Sequence, residues 1–219
     1  MTFIDEMDSL TIAVLTFVSL LIFASLAIYL YTLPGLRRLP KERRATLDDV
    51  TTLADAVAAC RLTGLQGWGL VAYAQNLAAR KFSYSRRNPW DSPARAFERG
   101  MGYCLQQALA LKIIYDRLGI RSQPVFALKC RFSPKVVHGL PEPQSISPHT
   151  WLNVTVDGVS KYVCPGNPAN QPGVIHFEVL SDVRPLSLWM QPFSHLGSVI
   201  ANAKRDQGAV RKYGGELMG

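Results

Sequence analysis

"HTWLNVTVDGVSKYVC", residues 149–164, reads as two short strands joined by a tight turn. Both halves are rich in Val, Thr, Tyr and Trp, which suit a pleated surface. Asp157-Gly158 sits between them, the strongest short hairpin signal a sequence carries, because both turn positions favour positive φ. The period-2 reading extends upstream to "SQPVFALKCRF" (122–132) and downstream to "VIHFEVL" (174–180). Residues 133–148 hold four prolines and 165–173 read "PGNPANQPG", so both are expected as loops.

Before residue 121 the pattern is helical. In "TLDDVTTLADAVAACRL" (46–62), Leu47, Val50, Leu53, Val57 and Cys60 recur at helical spacing, with acidic residues near the start, where they suit the helix dipole. Cys60 is therefore expected in the core. "LQGWGLVAYAQNLAARKF" (65–82) is a second helix. Ser92-Pro93 starts a short third one that Gly100 ends. "GYCLQQALALKIIYDRLGI" (102–120) carries a longer helix to about Leu118, with Gly119 at its exit. Helices first and an antiparallel sheet second give an α+β class. The 46–200 stretch is long enough for one hydrophobic core without disulfide support. Cys60, Cys104, Cys130 and Cys164 form no CxxC pair and no regular framework.

In front of this domain, after a short segment 1–9, "LTIAVLTFVSLLIFASLAIYLYTL" (10–33) contains no charged side chain over 24 residues. As a helix it would reach roughly 36 Å, enough for a hydrocarbon layer of about 30 Å with some tilt. Pro34-Gly35 is expected to stop it. Asp5, Glu6 and Asp8 replace the basic start of a cleaved signal peptide, so an uncleaved single-pass anchor is expected. Arg37, Arg38, Lys41, Arg43 and Arg44 follow in a basic linker, 34–45, and none precedes the span. The positive-inside rule then places the N-terminus outside and the domain in the cytoplasm. The formal charge of +8 resides largely in this linker and in the tail (201–219), with Lys204, Arg205, Arg211 and Lys212. Membrane-surface attraction accounts for it, and no nucleic-acid motif is present.

The candidate chemistry lies at Cys104. A thiol in the first turn of a helix meets unpaired N–H groups and positive dipole charge, which favour the thiolate. His149, opening a strand, is a candidate base. His138, His176 and His195 show no evident partner in the sequence.

Gly102-Tyr103-Cys104 heading a helix, Leu118-Gly119-Ile120-Arg121 leaving it, and His149-Thr150-Trp151 leading a strand pair, in this order, resemble the transglutaminase-like superfamily. The resemblance covers about residues 60–180 and includes the Trp90 and Phe97 region. It implies a papain-like core, with Cys104 as nucleophile, His149 as general base and the Cys104 backbone N–H helping to hold an oxyanion. The family's third residue is an aspartate, often followed by proline, that orients the imidazole. Cys164-Pro165 stands there instead. Three readings stay open: Asn167 is the orienting group, as asparagine is in papain-like enzymes; Cys164 itself faces His149; or catalysis is lost. Cys104, His149 and Cys164 together would also make an incomplete zinc set or a redox-active thiol pair. Gln107, on a face similar to that of Cys104, is a candidate substrate contact.

The expected function is a membrane-anchored peptidase or amidase, rather than a cross-linking transferase, acting on a peptide or protein with no cofactor or metal. The alternative is a non-catalytic domain that binds a peptide or protein in the same groove.

Overall fold

The structure, a computed structural model, describes residues 9–38, 47, 49–85, 91–137, 140–198 and 200–201. Trp90, His138, Lys41, Arg43, Arg44 and the tail cations lie outside the described residues. The chain divides into two compact units: Met1–Leu39 with Ile200–Gly219, and Pro40–Val199.

The first unit contains α1 (Ser9–Arg38). Its stretch Thr11–Ile28 is long and apolar enough to cross a membrane, and none of it is buried. The helix does not stop at Pro34-Gly35 as expected but runs on to Arg38. A proline removes one i→i−4 hydrogen bond, which kinks a helix without obliging it to end.

In the second unit α2 (Leu53–Leu62) begins later than the sequence pattern suggests. Its start is fixed by a reciprocal cap: Asp55 N–H donates to Thr52 Oγ1 at 3.2 Å, and Thr52 N–H to Asp55 Oδ2 at 2.7 Å. Asp55 is therefore the acidic residue of the first turn. α3 (Gly67–Lys81) follows, then β1 (Ser83–Tyr84), α4 (Pro93–Arg99), β2 (Met101–Gly102) and α5 (Cys104–Arg117). Ser92 caps α4 by accepting from Arg95 N–H, and Gly100 ends it at φ 72°. The short parallel pairing of β1 with β2, which the sequence did not suggest, sets the backbone just before Cys104.

The sheet is antiparallel, ordered β7-β6-β3-β8, with β9 (Arg184–Pro185) also on β3. β3 is Arg121–Phe132, β6 Ser145–Val156, β7 Val159–Val163 and β8 Phe177–Val179. Asp157 (φ 49°) and Gly158 (φ 76°) make the β6–β7 turn as read. The 133–148 stretch is not all loop. It holds a two-stranded ribbon, β4 (Lys135–Val137) with β5 (Leu140–Glu142), and the first residues of β6. Pro148 is accommodated because the β3–β6 register shifts there, between Ala127 paired with His149 and Cys130 paired with Ser147. A residue with no N–H fits such an irregularity.

Side chains alternate across β6. Leu152 and Val154, with Val163 of β7, join the helical core of α2 to α5, in which Cys60 is buried as expected. Trp151 goes to the other face, with Val125, Ala127, Cys130, Phe132, Cys164 and Phe177. α5 packs on β3 and β6.

Candidate functional site

Cys104 is the first residue of α5 and is partly exposed. The turn before it is braced by two buried amides. Gln106 Oε1 accepts from Tyr103 N–H at 3.2 Å, and its Nε2 donates to Asp91 O at 2.8 Å. Gln107 Nε2 donates to Gly102 O at 2.8 Å. Gln107 is only 2% exposed, so its amide supports the loop rather than facing solvent, where a substrate contact was expected. Tyr103 is buried, and its hydroxyl meets His195 Nδ1 at 2.5 Å. His195 thus has a partner the sequence did not reveal. Around Cys104 lie Tyr103, Leu105, Phe126 and Leu186.

His149 is buried on β6. Its Nε2 lies 3.4 Å from Cys164 Sγ, which also accepts from Gly166 N–H at 3.4 Å. The hairpin register explains the contact. Leu152 pairs with Val163, so residue 164, just past β7, comes level with Trp151 and diagonal to His149. Asn167 does not orient the imidazole: its Oδ1 accepts from Ala169 N–H at 2.9 Å, closing its own loop. Asn170 takes the deeper position. Its Nδ2 donates to Cys164 O at 2.8 Å and lies 2.9 Å from His176 Nδ1. Gln75 Nε2 donates to the same Cys164 carbonyl at 3.2 Å. Cys164 is therefore fixed through both its backbone and its thiol.

His176 stands edge-on to His149, with ring centroids 6.2 Å apart, and Phe177 lies 4.5 Å from the His149 ring. His149 also stacks on Trp151 at 5.9 Å. Lys135 stands over the Phe132 ring at 5.1 Å. Asn170, His176 and Lys135 were not legible as site residues. They enter from loops and a short ribbon whose spacing carries no period.

The electrostatics of the group favour neutral forms. Burial holds His149 well below the usual imidazole range, helped by the nearby His176 and Lys135. Burial, then Lys135, lowers His176 to about 4. Burial pushes the Cys164 thiol up to about 12; the Gly166 N–H opposes this, and charge on Cys104 or Cys130 adds to it. Cys130 rises to about 11 for the same reasons, burial first and then Cys104. Cys104 is thus within electrostatic reach of both thiols, while the hydrogen bond of His149 runs to Cys164. Among the described residues no group of three His, Cys, Asp or Glu side chains is arranged to hold a metal ion, and none of the four cysteines is in a disulfide.

Comparison with known proteins finds no match: no family model, no curated protein and no solved structure corresponds to this chain.

Proposed function

We propose that this chain is a membrane-anchored thiol enzyme of the transglutaminase-like type that opens an amide bond through Cys104, with His149 as base. The observation that carries the reading is the 3.4 Å contact between His149 Nε2 and Cys164 Sγ. It supplies the imidazole with a fixed neighbour at the position where the resemblance calls for an orienting acceptor. If Nε2–H donates to that sulfur, Nδ1 keeps its lone pair for the Cys104 proton. The helix-head placement of Cys104 supports the same assignment.

In the proposed reaction His149 takes the Cys104 proton as sulfur adds to the amide carbon. The oxygen gains negative charge beside the backbone N–H groups at the head of α5. The C–N bond then breaks, and the departing amine takes the proton back from the imidazolium. A thioester on Cys104 remains, and water releases the acid. The substrate class is a peptide or protein, with hydrolysis favoured over transfer. Because burial keeps His149 neutral at rest, the proton moves during attack, and no resting thiolate–imidazolium pair is required. α1 serves as a single-pass anchor, with the five cations after it and none before it favouring a cytoplasmic domain.

A second reading is a binding module that has lost catalysis. It is favoured by one observation: Cys164, pushed up to about 12, is a neutral thiol where an anionic acceptor would be expected. Acid-quenched mass spectrometry of the full chain after exposure to a mixed peptide library separates the two. The enzyme reading expects an acyl adduct on Cys104, removable by hydroxylamine and much reduced in His149→Ala. Peptide retention by the chain without any adduct, unchanged in Cys104→Ser, would support the binding module.

A further inference from the structure

After β9 the chain forms a 3-10 turn, Leu188–Met190, and residues 191–198 are helical. This segment is tied down at both ends. Leu186, 3% exposed, packs with Tyr103 and Leu105, and its N–H donates to Pro124 O at 2.8 Å. Further along, His195 meets the Tyr103 hydroxyl. Between these ties Leu188, Trp189 and Phe193 stand 81%, 71% and 69% exposed. Three large apolar side chains held outward within six residues are costly in water and mark a surface that something covers.

We propose that this segment seats Leu188, Trp189 and Phe193 in the headgroup–acyl boundary of the bilayer that α1 is read as crossing. The proposal rests on the membrane-anchor reading. Three observations choose lipid over a protein partner. The chain carries its own apolar helix, so a bilayer is always at hand. From Val183 to Arg205 the sequence contains no Asp or Glu, and the nearest acid before it, Asp182, is paired with Arg184 at 3.8 Å, so no unpaired acid in this stretch opposes an anionic headgroup layer. Trp beside Leu and Phe is the composition that suits an interface, with an indole among headgroups and apolar chains below. Because the ties run to Tyr103 and Leu105, on either side of Cys104, lipid seating would hold the head of α5 beside the bilayer surface. Substrates would then be polypeptide segments presented at that surface.

The test uses the full chain reconstituted into vesicles of phosphatidylcholine and phosphatidylglycerol whose acyl chains carry bromine, a short-range quencher of indole. α1 contains no tryptophan, so the anchor itself gives no signal. Flotation reports anchoring independently. The proposal expects chains that float and show bromine quenching that Trp189→Phe abolishes, with the circular dichroism of the variant unchanged. Equal quenching in both proteins, or none in chains that float, would overturn the lipid seat while leaving the anchor intact. Concentration-dependent self-association through the unquenched patch would likewise overturn it, assigning the face to a second copy. Chains that do not float at all would overturn the anchor reading and this inference with it.

Discussion

Replacing Cys164 by aspartate should convert a neutral neighbour of His149 into an anionic acceptor. The native contact is 3.4 Å. A carboxylate placed there, about 4 Å from the imidazolium charge, attracts it by about 4 kcal/mol at an effective dielectric near 20. That corresponds to about 3 pKa units before the desolvation of the new carboxylate is subtracted. An upward shift of His149 by about 1–3 units is the expected net result. The imidazole becomes a stronger base, and the Cys104 thiolate gains a cationic partner. Iodoacetamide labelling of Cys104, followed by mass spectrometry at pH 6–8, should speed up in Cys164→Asp by about tenfold or more, one pKa unit being a factor of ten in population. Cys164→Ser keeps the volume and adds no charge, so it should label at close to the native rate. Thermal stability should fall in the Asp variant, because residue 164 is 1% exposed and a buried carboxylate is costly even when paired. A folded Cys164→Asp protein whose Cys104 labels no faster than Cys164→Ser would refute the reasoning, since the charge would then have no path through His149 to the nucleophile.

Acid should destabilise the fold through its histidines. Unfolded imidazoles protonate near 6.5, whereas His149 protonates well below that and His176 at about 4, so the unfolded chain binds more protons in this window. Stability is complete above pH 6.5 and should fall as pH drops toward 4, by up to about 1.4 kcal/mol per pH unit for each histidine. Urea midpoints at pH 7.5, 5.5 and 4.5 measure this, and a flat response would contradict the buried placement. Gln107→Leu removes the brace on the Gly102 carbonyl and should cost about 1–3 kcal/mol, read as a lower urea midpoint. Thr52→Ala should cost about 0.5–2 kcal/mol by breaking the cap of α2, with Cys104 labelling in the folded protein unchanged.

What could be read in advance was what local chemistry dictates. The Asp157-Gly158 hairpin, the Ser92 cap and the α5 boundaries follow from residues acting on their own backbone. α2 starts later than its apolar spacing suggests, because the spacing of Leu47 and Val50 lies ahead of a cap that Thr52 and Asp55 impose. Pro34 does not end α1, because the loss of one i→i−4 hydrogen bond leaves the rest of the ladder in place. Within the site, Cys164 facing His149 was one of several open readings. The register of a single hairpin decides it, and that register follows from the turn. Asn167, the expected orienting amide, closes its own loop, while Asn170 from the same loop reaches the Cys164 carbonyl, and only the folded turn shows which amide points inward. His176 and Lys135 reach the group from separate segments, a convergence that no spacing in the sequence encodes.

The central claim is that His149 activates Cys104. The most direct test is the pH dependence of Cys104 alkylation in the full chain, native against His149→Ala, with peptide-level mass spectrometry separating Cys104 from the three other thiols. A general base contributes roughly a hundredfold or more to proton-coupled steps, so even partial use of it predicts labelling at pH 7 slower by at least about tenfold in His149→Ala. The helix-head position of Cys104 should also hold its profile below that of an ordinary thiol, near 8.5, with or without His149. Identical profiles in two folded proteins, both rising like an ordinary thiol, would contradict the claim and leave the binding module as the function of the fold.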